Sequence, residues 1–538
     1  TGDKYFDEHV APINGLEGYD LPVSAFTKFN LLDGSIRNNV SYLEKRTIAV
    51  QVPTWHPENC IQCGICSFVC PHATIRPFLL TDEEVANAPM EFKTIQAMGK
   101  GVENLKYRIQ VTPANCVGCG LCAVECPGKG GNKALEMVDI NEKLDQEPLA
   151  DYLFKQTEYK TEYFPTDTVK GSQFLMPYFE VSGSCPGCGE TPYYKLVSQL
   201  FGKDMLVANA TGCSMIYCSS TPSTPFVNDA NGEGVAWANS LFEDNAEFGY
   251  GMALSQNYKE ARILKAMEDN MENVEPALKD AFAKYLEVHG DREAERAIAP
   301  TIKELAAKSD IPAVKELAEV DLVSKSIWIV GGDGWAYDIG YGGLDHVLAN
   351  DLNVNVLVLD TEVYSNTGGQ SSKSSQAASI AKFAAGGKTT AKKDLGQIAM
   401  AYGHVYVAAI SMGANKAQTL KAIKEAESYD GPSLILAYSP CAEHGIKGGL
   451  ANHQRTQAKA VECGYFDLYR YDPRKEQPLT IDSKEPDYDK MLDFMMTETR
   501  YSQLPKLKGE TAYEMFEKTK KDAMKRHKRL LAIAKESM

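Results

Sequence analysis

Fourteen cysteines stand in this chain, and their spacing is its most informative feature. Eleven fall in three tight groups before residue 214: Cys60, Cys63, Cys66 and Cys70; Cys116, Cys119, Cys122 and Cys126; then Cys185, Cys188 and Cys213. Cys218, Cys441 and Cys463 stand apart. Many cysteines in a small secreted domain imply disulfides, but this chain is long and opens on no charged-then-apolar export signal. Thiolates at such short intervals read as metal ligands.

Cys60-Ile-Gln-Cys63-Gly-Ile-Cys66-Ser-Phe-Val-Cys70-Pro71 has the spacing of a bacterial [4Fe–4S] ferredoxin, and Cys116 to Pro127 repeats it. In such a run the first three sulfurs wrap one cubane and the fourth reaches the other. Cluster one is therefore assigned to Cys60, Cys63, Cys66 and Cys126, and cluster two to Cys116, Cys119, Cys122 and Cys70. Gly64, Gly118 and Gly120 allow backbone amides to approach the sulfurs. Structural zinc is the competing reading, but four-cysteine zinc sites usually split into two separated pairs.

Cys185-Pro-Gly-Cys188 alone fits a redox dithiol or half a zinc site equally well. With Cys213 it becomes three-quarters of a third cluster. Cys441 is the expected fourth ligand, because it follows a strand candidate where α/β sites gather ligands. Cys218 is the alternative, and Cys463, in a helix-like run, reads as a core residue.

A second kind of chemistry lies in two strand–turn loops, Gly332-Asp333-Gly334 and Asn366-Thr367-Gly368-Gly369, which form a thiamine diphosphate pattern. Mg²⁺ is a hard cation that takes near-octahedral oxygen ligands and bridges to phosphates. Asp333 offers a carboxylate, Thr361 and the Val363 carbonyl offer neutral oxygens, and the glycines let the backbone approach the diphosphate.

These residues need a scaffold. Length implies two to four domains. Apolar content of 44% and charged content of 24% suit an ordinary soluble protein, and a net charge of −16 argues against nucleic acid as partner. No run of 18 apolar residues suggests a membrane span, and a cytoplasmic location is expected. The first residue is Thr1, which suggests a chain cut from something longer. Residues 1–45 read as an irregular connecting segment, and 46–160 as an α+β two-cluster ferredoxin-like domain containing a helix-like run from Thr81 to Gly99. Residues 161–510 read as an α/β domain on a doubly wound parallel sheet, with strand candidates Val323–Val330, Val354–Leu359, Val405–Ile410 and Ser433–Tyr438 and a helix from Lys416 to Ser428. Residues 256–321 form a charged, helix-prone excursion, expected as a surface hairpin. Residues 511–538 read as a basic terminal helix docked on the body.

The doubled ferredoxin motif, Cys-Pro-Gly-Cys-Gly, Gly-Cys-Ser, Gly-Gly-Asp-Gly and Asp-Thr-Glu-Val-Tyr-Ser-Asn-Thr-Gly-Gly-Gln, in that order, resemble the C-terminal half of the pyruvate:ferredoxin (flavodoxin) oxidoreductases. The resemblance implies three [4Fe–4S] clusters, thiamine diphosphate, Mg²⁺ and coenzyme A, with pyruvate as substrate, ferredoxin or flavodoxin as acceptor and a homodimeric assembly. Other 2-oxoacids, or a non-catalytic polyferredoxin module, are the alternatives. It makes Cys185, Cys188, Cys213 and Cys441 ligands of the cluster proximal to thiamine. It makes Asp333, Thr361 and Val363 the magnesium site, and Asn366 the residue facing the substrate-derived carbonyl. Gly332, Gly334, Gly212 and Cys213 complete the expected cofactor contacts. Phe242 to Gly249 is similar to a family stretch near the cofactor. The family's N-terminal half, which supplies the thiamine-activating glutamate and most substrate contacts, has no counterpart in these residues.

Overall fold

The computed structural model describes residues 1–536. Its central feature is an eight-stranded sheet, ordered Leu479–Ile481, Tyr469–Tyr471, Tyr406–Ile410, Pro432–Tyr438, Val354–Asp360, Ser326–Gly332, Met205–Ala210 and Ala236–Ser240. The last six are mutually parallel, while Tyr469–Tyr471 runs antiparallel to them and Leu479–Ile481 pairs antiparallel with it at the edge. The sheet is thus mixed, with the expected parallel part at its centre. All seven residues of Val354–Asp360 and of Pro432–Tyr438 are buried, as covering both faces of a parallel sheet demands. Helices Lys416–Glu427 and Thr191–Phe201 belong to one covering layer, and Tyr341–Leu348 and the start of Asn245–Asn270 to the other.

The four strands read from the sequence occur within three residues of their expected ends. The helix expected over Thr81–Gly99 does not. Only Asp82–Ala86 is helical, closed by a capping box in which Glu84 N–H donates to Thr81 Oγ1 at 3.1 Å and Thr81 N–H donates to Glu84 Oε2 at 2.8 Å. Pro89 lies just past its end and blocks propagation, and Ile95–Gln96 instead adds a short strand beside Lys106–Val111. The excursion also differs from a two-helix hairpin. It begins inside the helix Asn245–Asn270 and continues through Pro276–Val288, Arg292–Ala306 and Pro312–Glu316, around its own core of Met267, Phe282, Tyr285 and Ile302. Residues 1–45 contain short helical turns, and Glu510–Glu536 is one helix that buries Ala512, Phe516, Ala523 and Leu530 against the body.

The cysteine-rich unit is α+β, with strand pair Gln51–Trp55 and Leu135–Asp139, a second small sheet, and short helices Ile65–Phe68 and Leu121–Glu125. It is tied to the larger unit by a buried charge group. The Glu180 carboxylate accepts from Arg76, on strand Ile75–Leu80, and from Lys155, while Glu180 N–H donates to Pro225 O at 2.8 Å. Glu180 is 1% exposed. Removing one partner leaves a buried unpaired charge, so Glu180→Ala is expected to cost about 3–5 kcal/mol in urea unfolding, and Glu180→Gln less. A loss under about 1 kcal/mol would mean that these charges are not paired in solution.

Candidate functional site

In the cysteine-rich unit the two motifs line two cavities, and each motif contributes to both. One cavity is lined by Cys60, Cys63, Cys66 and Cys126. The other is lined by Cys70, Cys116, Cys119 and Cys122. This is the crossed grouping that the spacing predicts. Backbone amides point at the sulfurs: Gln62 N–H reaches Cys60, Gly118 N–H reaches Cys116, and Ala134 N–H reaches Cys126, each at 3.4 Å. Gly118 sits at φ +69, and a Cβ there would lie 2.8 Å from Gln51 O, so only glycine turns the chain at this point. Burial pushes the Cys66 and Cys122 thiols well above their usual range, and Cys116 up to about 12. A thiolate at these buried positions calls for a cationic partner to balance it.

The third group converges at the sheet. Thr211–Gly212, Asp333, Thr361 and Cys441 all lie just beyond the carboxyl ends of parallel strands, where open α/β sheets gather ligands. Cys185, Cys188, Cys213 and Cys441 line one cavity of about 150 Å³, together with Glu190, Thr361 and Asn366. Cys218 is fully buried in an aromatic core with Tyr194 and Tyr217, and Cys463 is buried at the end of helix His453–Glu462, where its Sγ–H donates to Ala460 O at 3.5 Å. Neither lines the cavity. Gly212, at φ +144, turns the chain into the helix that begins at Cys213. Asn366 is exposed on the cavity rim. Glu190 lay outside the sequence reading. It is 5% exposed, burial raises it to about 7, and its Oε2 has no protein partner.

Behind this cavity lies a set of oxygens. Thr361 Oγ1 is 3.0 Å from Asp333 Oδ1 and 3.0 Å from the Val363 carbonyl. An octahedral ion at magnesium's bond length holds neighbouring oxygens roughly 2.9 Å apart, so each of these two separations matches an edge of such a shell. Burial, reinforced by the neighbouring Asp360 carboxylate, raises Asp333 well above the usual carboxylate range. A divalent cation beside it would relieve both effects. Ser372 Oγ–H donates to Asp333 Oδ2 at 2.6 Å and fixes its orientation. A Cβ on Gly332 would meet only Leu359 O, at 3.9 Å, whereas a Cβ on Gly334 would meet the Tyr364 ring at 2.5 Å, so Gly334 makes room for an aromatic ring rather than for a phosphate. Phe242 packs edge-on against the same Tyr364 ring, with centroids 6.2 Å apart, which puts the Phe242–Gly249 stretch beside this site.

The loop after Asp360 is held from behind by groups that local sequence does not reveal. Glu362 adopts φ +59 and is fully buried. Although burial opposes it, Lys392 and Arg500 hold Glu362 down at about 2. Tyr465 Oη–H donates to its Oε2 at 2.5 Å, and Arg500 Nη1 lies 2.9 Å away. Lys392 also donates to Asp360 Oδ2 at 2.6 Å. Thus both neighbours of Thr361 are clamped. The turn between Cys185 and Cys188 approaches the second cavity, since Gly187 N–H reaches the Cys119 sulfur.

Comparison with known proteins gives the arrangement its context. Residues 56–130 match the 4Fe-4S dicluster domain, and residues 313–437 match the thiamine pyrophosphate enzyme, C-terminal TPP binding domain. The chain is 51% identical over 539 residues to a pyruvate:ferredoxin oxidoreductase of Moorella thermoacetica, covering 97% of this chain and 45% of that protein. It is 47% identical over 536 residues to a pyruvate-flavodoxin oxidoreductase of Klebsiella pneumoniae, covering 98% and 45%. The chain therefore spans less than half the length of these relatives. A solved 2-oxoglutarate:ferredoxin oxidoreductase from Magnetococcus marinus is 17% identical, with a TM-score of 0.29 over 48% of this chain and 64% of that one. Among the described residues, no helix is long and apolar enough to cross a membrane.

Proposed function

The chain belongs to the pyruvate:ferredoxin (flavodoxin) oxidoreductase family, and from this we propose that it is the thiamine- and cluster-bearing part of an enzyme that oxidatively decarboxylates pyruvate, passes the acyl group to coenzyme A and delivers electrons singly to ferredoxin or flavodoxin. The observation that carries this reading is the third cavity. Four thiols, Asn366 and Thr361 line it, with the Asp333–Thr361–Val363 oxygens directly behind.

Thiamine diphosphate, when bound, supplies carbanion stabilisation at a 2-oxoacid carbonyl. The chain's own residues do the rest. Asp333, Thr361 Oγ1 and the Val363 carbonyl would hold the Mg²⁺ that accompanies the diphosphate, and Ser372 orients the Asp333 carboxylate through its other oxygen. Gly212, Cys213 and Gly332 would frame the cofactor, and the Asn366 amide, exposed on the cavity rim, would face the substrate-derived carbonyl. Cys185, Cys188, Cys213 and Cys441 ligate the cluster nearest the chemistry. The contact between Gly187 and Cys119 supports an electron path to the Cys70/Cys116/Cys119/Cys122 cluster next, and to the Cys60/Cys63/Cys66/Cys126 cluster last. The thiamine-activating glutamate and the coenzyme A contacts come from the part of the enzyme that the longer relatives carry in addition.

Two measurements test the reading. Anaerobically purified chain is expected to hold about twelve irons in three clusters of four, and full-length enzyme is expected to reduce ferredoxin or flavodoxin in a pyruvate- and coenzyme A-dependent way. An iron content near eight would remove the third cluster, and preference for another 2-oxoacid would replace pyruvate.

A further inference from the structure

The loops bearing Thr361 and Cys441 follow adjacent parallel strands, Val354–Asp360 and Pro432–Tyr438, which pair along their whole length up to Tyr438 opposite Asp360. One more bond, from Ser439 N–H to Asp360 O at 2.9 Å, extends the pairing, and then the two chains part. The side chain of His444, at the end of the turn Ala442–His444, fills the gap between them and is completely buried. Its Nε2 lies 2.7 Å from the Thr361 carbonyl oxygen. A carbonyl only accepts, so Nε2 carries the proton. Nδ1 then has a free lone pair, and Cys441 N–H donates to it at 3.4 Å. Glu498 Oε1 is 3.9 Å from Nδ1, beyond hydrogen-bond reach. The two neighbours together fix one tautomer.

We infer that His444 is a positioning residue that ties the backbone of the cluster-side loop at Cys441 to the backbone of the cation-side loop at Thr361, and so sets the separation that the first electron must cross. The inference rests on the cluster and magnesium assignments proposed above. A second tie exists through Ser365, whose Oγ is 2.6 Å from Thr361 Oγ1 and bonds the Cys441 thiol. That tie uses the two groups that iron and magnesium would claim. The His444 tie uses main-chain atoms only, so it persists when both cofactors are bound. Groups that orient a metal ligand from outside the coordination shell commonly matter as much as this.

The test uses the full-length enzyme. His444→Phe keeps the ring and removes both bonds, His444→Gln keeps an N–H for Thr361, and His444→Asn keeps an acceptor for Cys441. Iron content and Mg²⁺–thiamine diphosphate occupancy are measured on each sample. The arrival of the first electron at the proximal cluster after mixing with pyruvate is then followed by freeze-quench paramagnetic resonance. Per fully loaded centre, His444→Phe is expected to slow this step roughly tenfold to a hundredfold, and His444→Gln, which retains the shorter bond, to recover more of the rate than His444→Asn. Wild-type electron arrival in loaded His444→Phe centres overturns the inference, because a purely structural role would lower loading and leave that rate alone. If His444→Phe does not accumulate, the other pair decides: Gln below or equal to Asn overturns it. A Cys441→Ser enzyme with undiminished iron would overturn the ligand assignment and this inference with it. Depleted iron in Cys441→Ser alongside a wild-type rate in His444→Phe would sink the inference alone.

Discussion

Cys441→Ser is expected to abolish one of three reduced-cluster signals in paramagnetic resonance while the other two persist. The cavity shared by Cys185, Cys188, Cys213 and Cys441 has its fourth wall on a separate strand, whereas the two remaining cavities draw none of their lining from that segment. Iron should fall by about a third, from about twelve toward about eight per chain. Cys218→Ser is expected to leave iron unchanged and to lower stability instead, because Cys218 is packed among Tyr194 and Tyr217 with no access to the cavity. If the two substitutions exchanged their effects, the fourth ligand would be Cys218 and the loop at 439–444 would serve another purpose.

The second large effect concerns the cation. Asp333→Ala removes the one carboxylate among the three converging oxygens, and Mg²⁺-dependent thiamine diphosphate affinity should fall by more than the roughly 10- to 100-fold typical of losing an outer partner. Ser372→Ala, which loosens the orientation of Asp333 without removing a ligand, should stay within that range. The sign of the stability change is itself diagnostic. Without cofactor, Asp333 is a buried carboxylate beside Asp360, so its removal should leave the melting temperature of the cofactor-free protein unchanged or higher. The upward shift that Mg²⁺ and thiamine diphosphate give the wild type should be lost. Retention of that shift, or of wild-type affinity in calorimetry, would place the cation elsewhere.

The sequence disclosed the chemistry better than the scaffold, for physical reasons. Cysteines at intervals of three and four, and glycines around Asp333, are local signals, because a short loop must aim several groups at one point. The parallel core was legible too, since strands such as Val356 to Leu359 must be apolar on both faces. Strands Tyr469–Tyr471 and Leu479–Ile481 have three residues each, too few to show any period. Ala236–Ser240 and Met205–Ala210 carry Asn239 and Asn209 and little β-branching, so they gave no strand signal. The helix expected after Thr81 had a sound start, and Pro89 ended it. The groups that grip Thr361 were invisible for another reason. Lys392, His444, Tyr465 and Arg500 lie about 30 to 140 residues from their partners, and only the folded chain brings a lysine, a tyrosine and an arginine to the buried Glu362 carboxylate and a histidine to the Thr361 carbonyl.

The crossed lining of the two ferredoxin-type cavities has a consequence for damage and repair. Segments 60–70 and 116–126 work as a clasp, each half latched through a sulfur that belongs to its opposite number. With the ligation proposed above, oxidation of Cys70 or Cys126 would strike the cluster held mainly by the other segment, and the freed loop would slacken the wall of its own. Exposure to oxygen should accordingly destroy the two in concert, without a long-lived species that keeps one of them. Assembly faces the same geometry in reverse. Whatever delivers iron and sulfide must fill both seats before either loop settles, so half-repaired molecules should be scarce in a population recovering from oxidative stress.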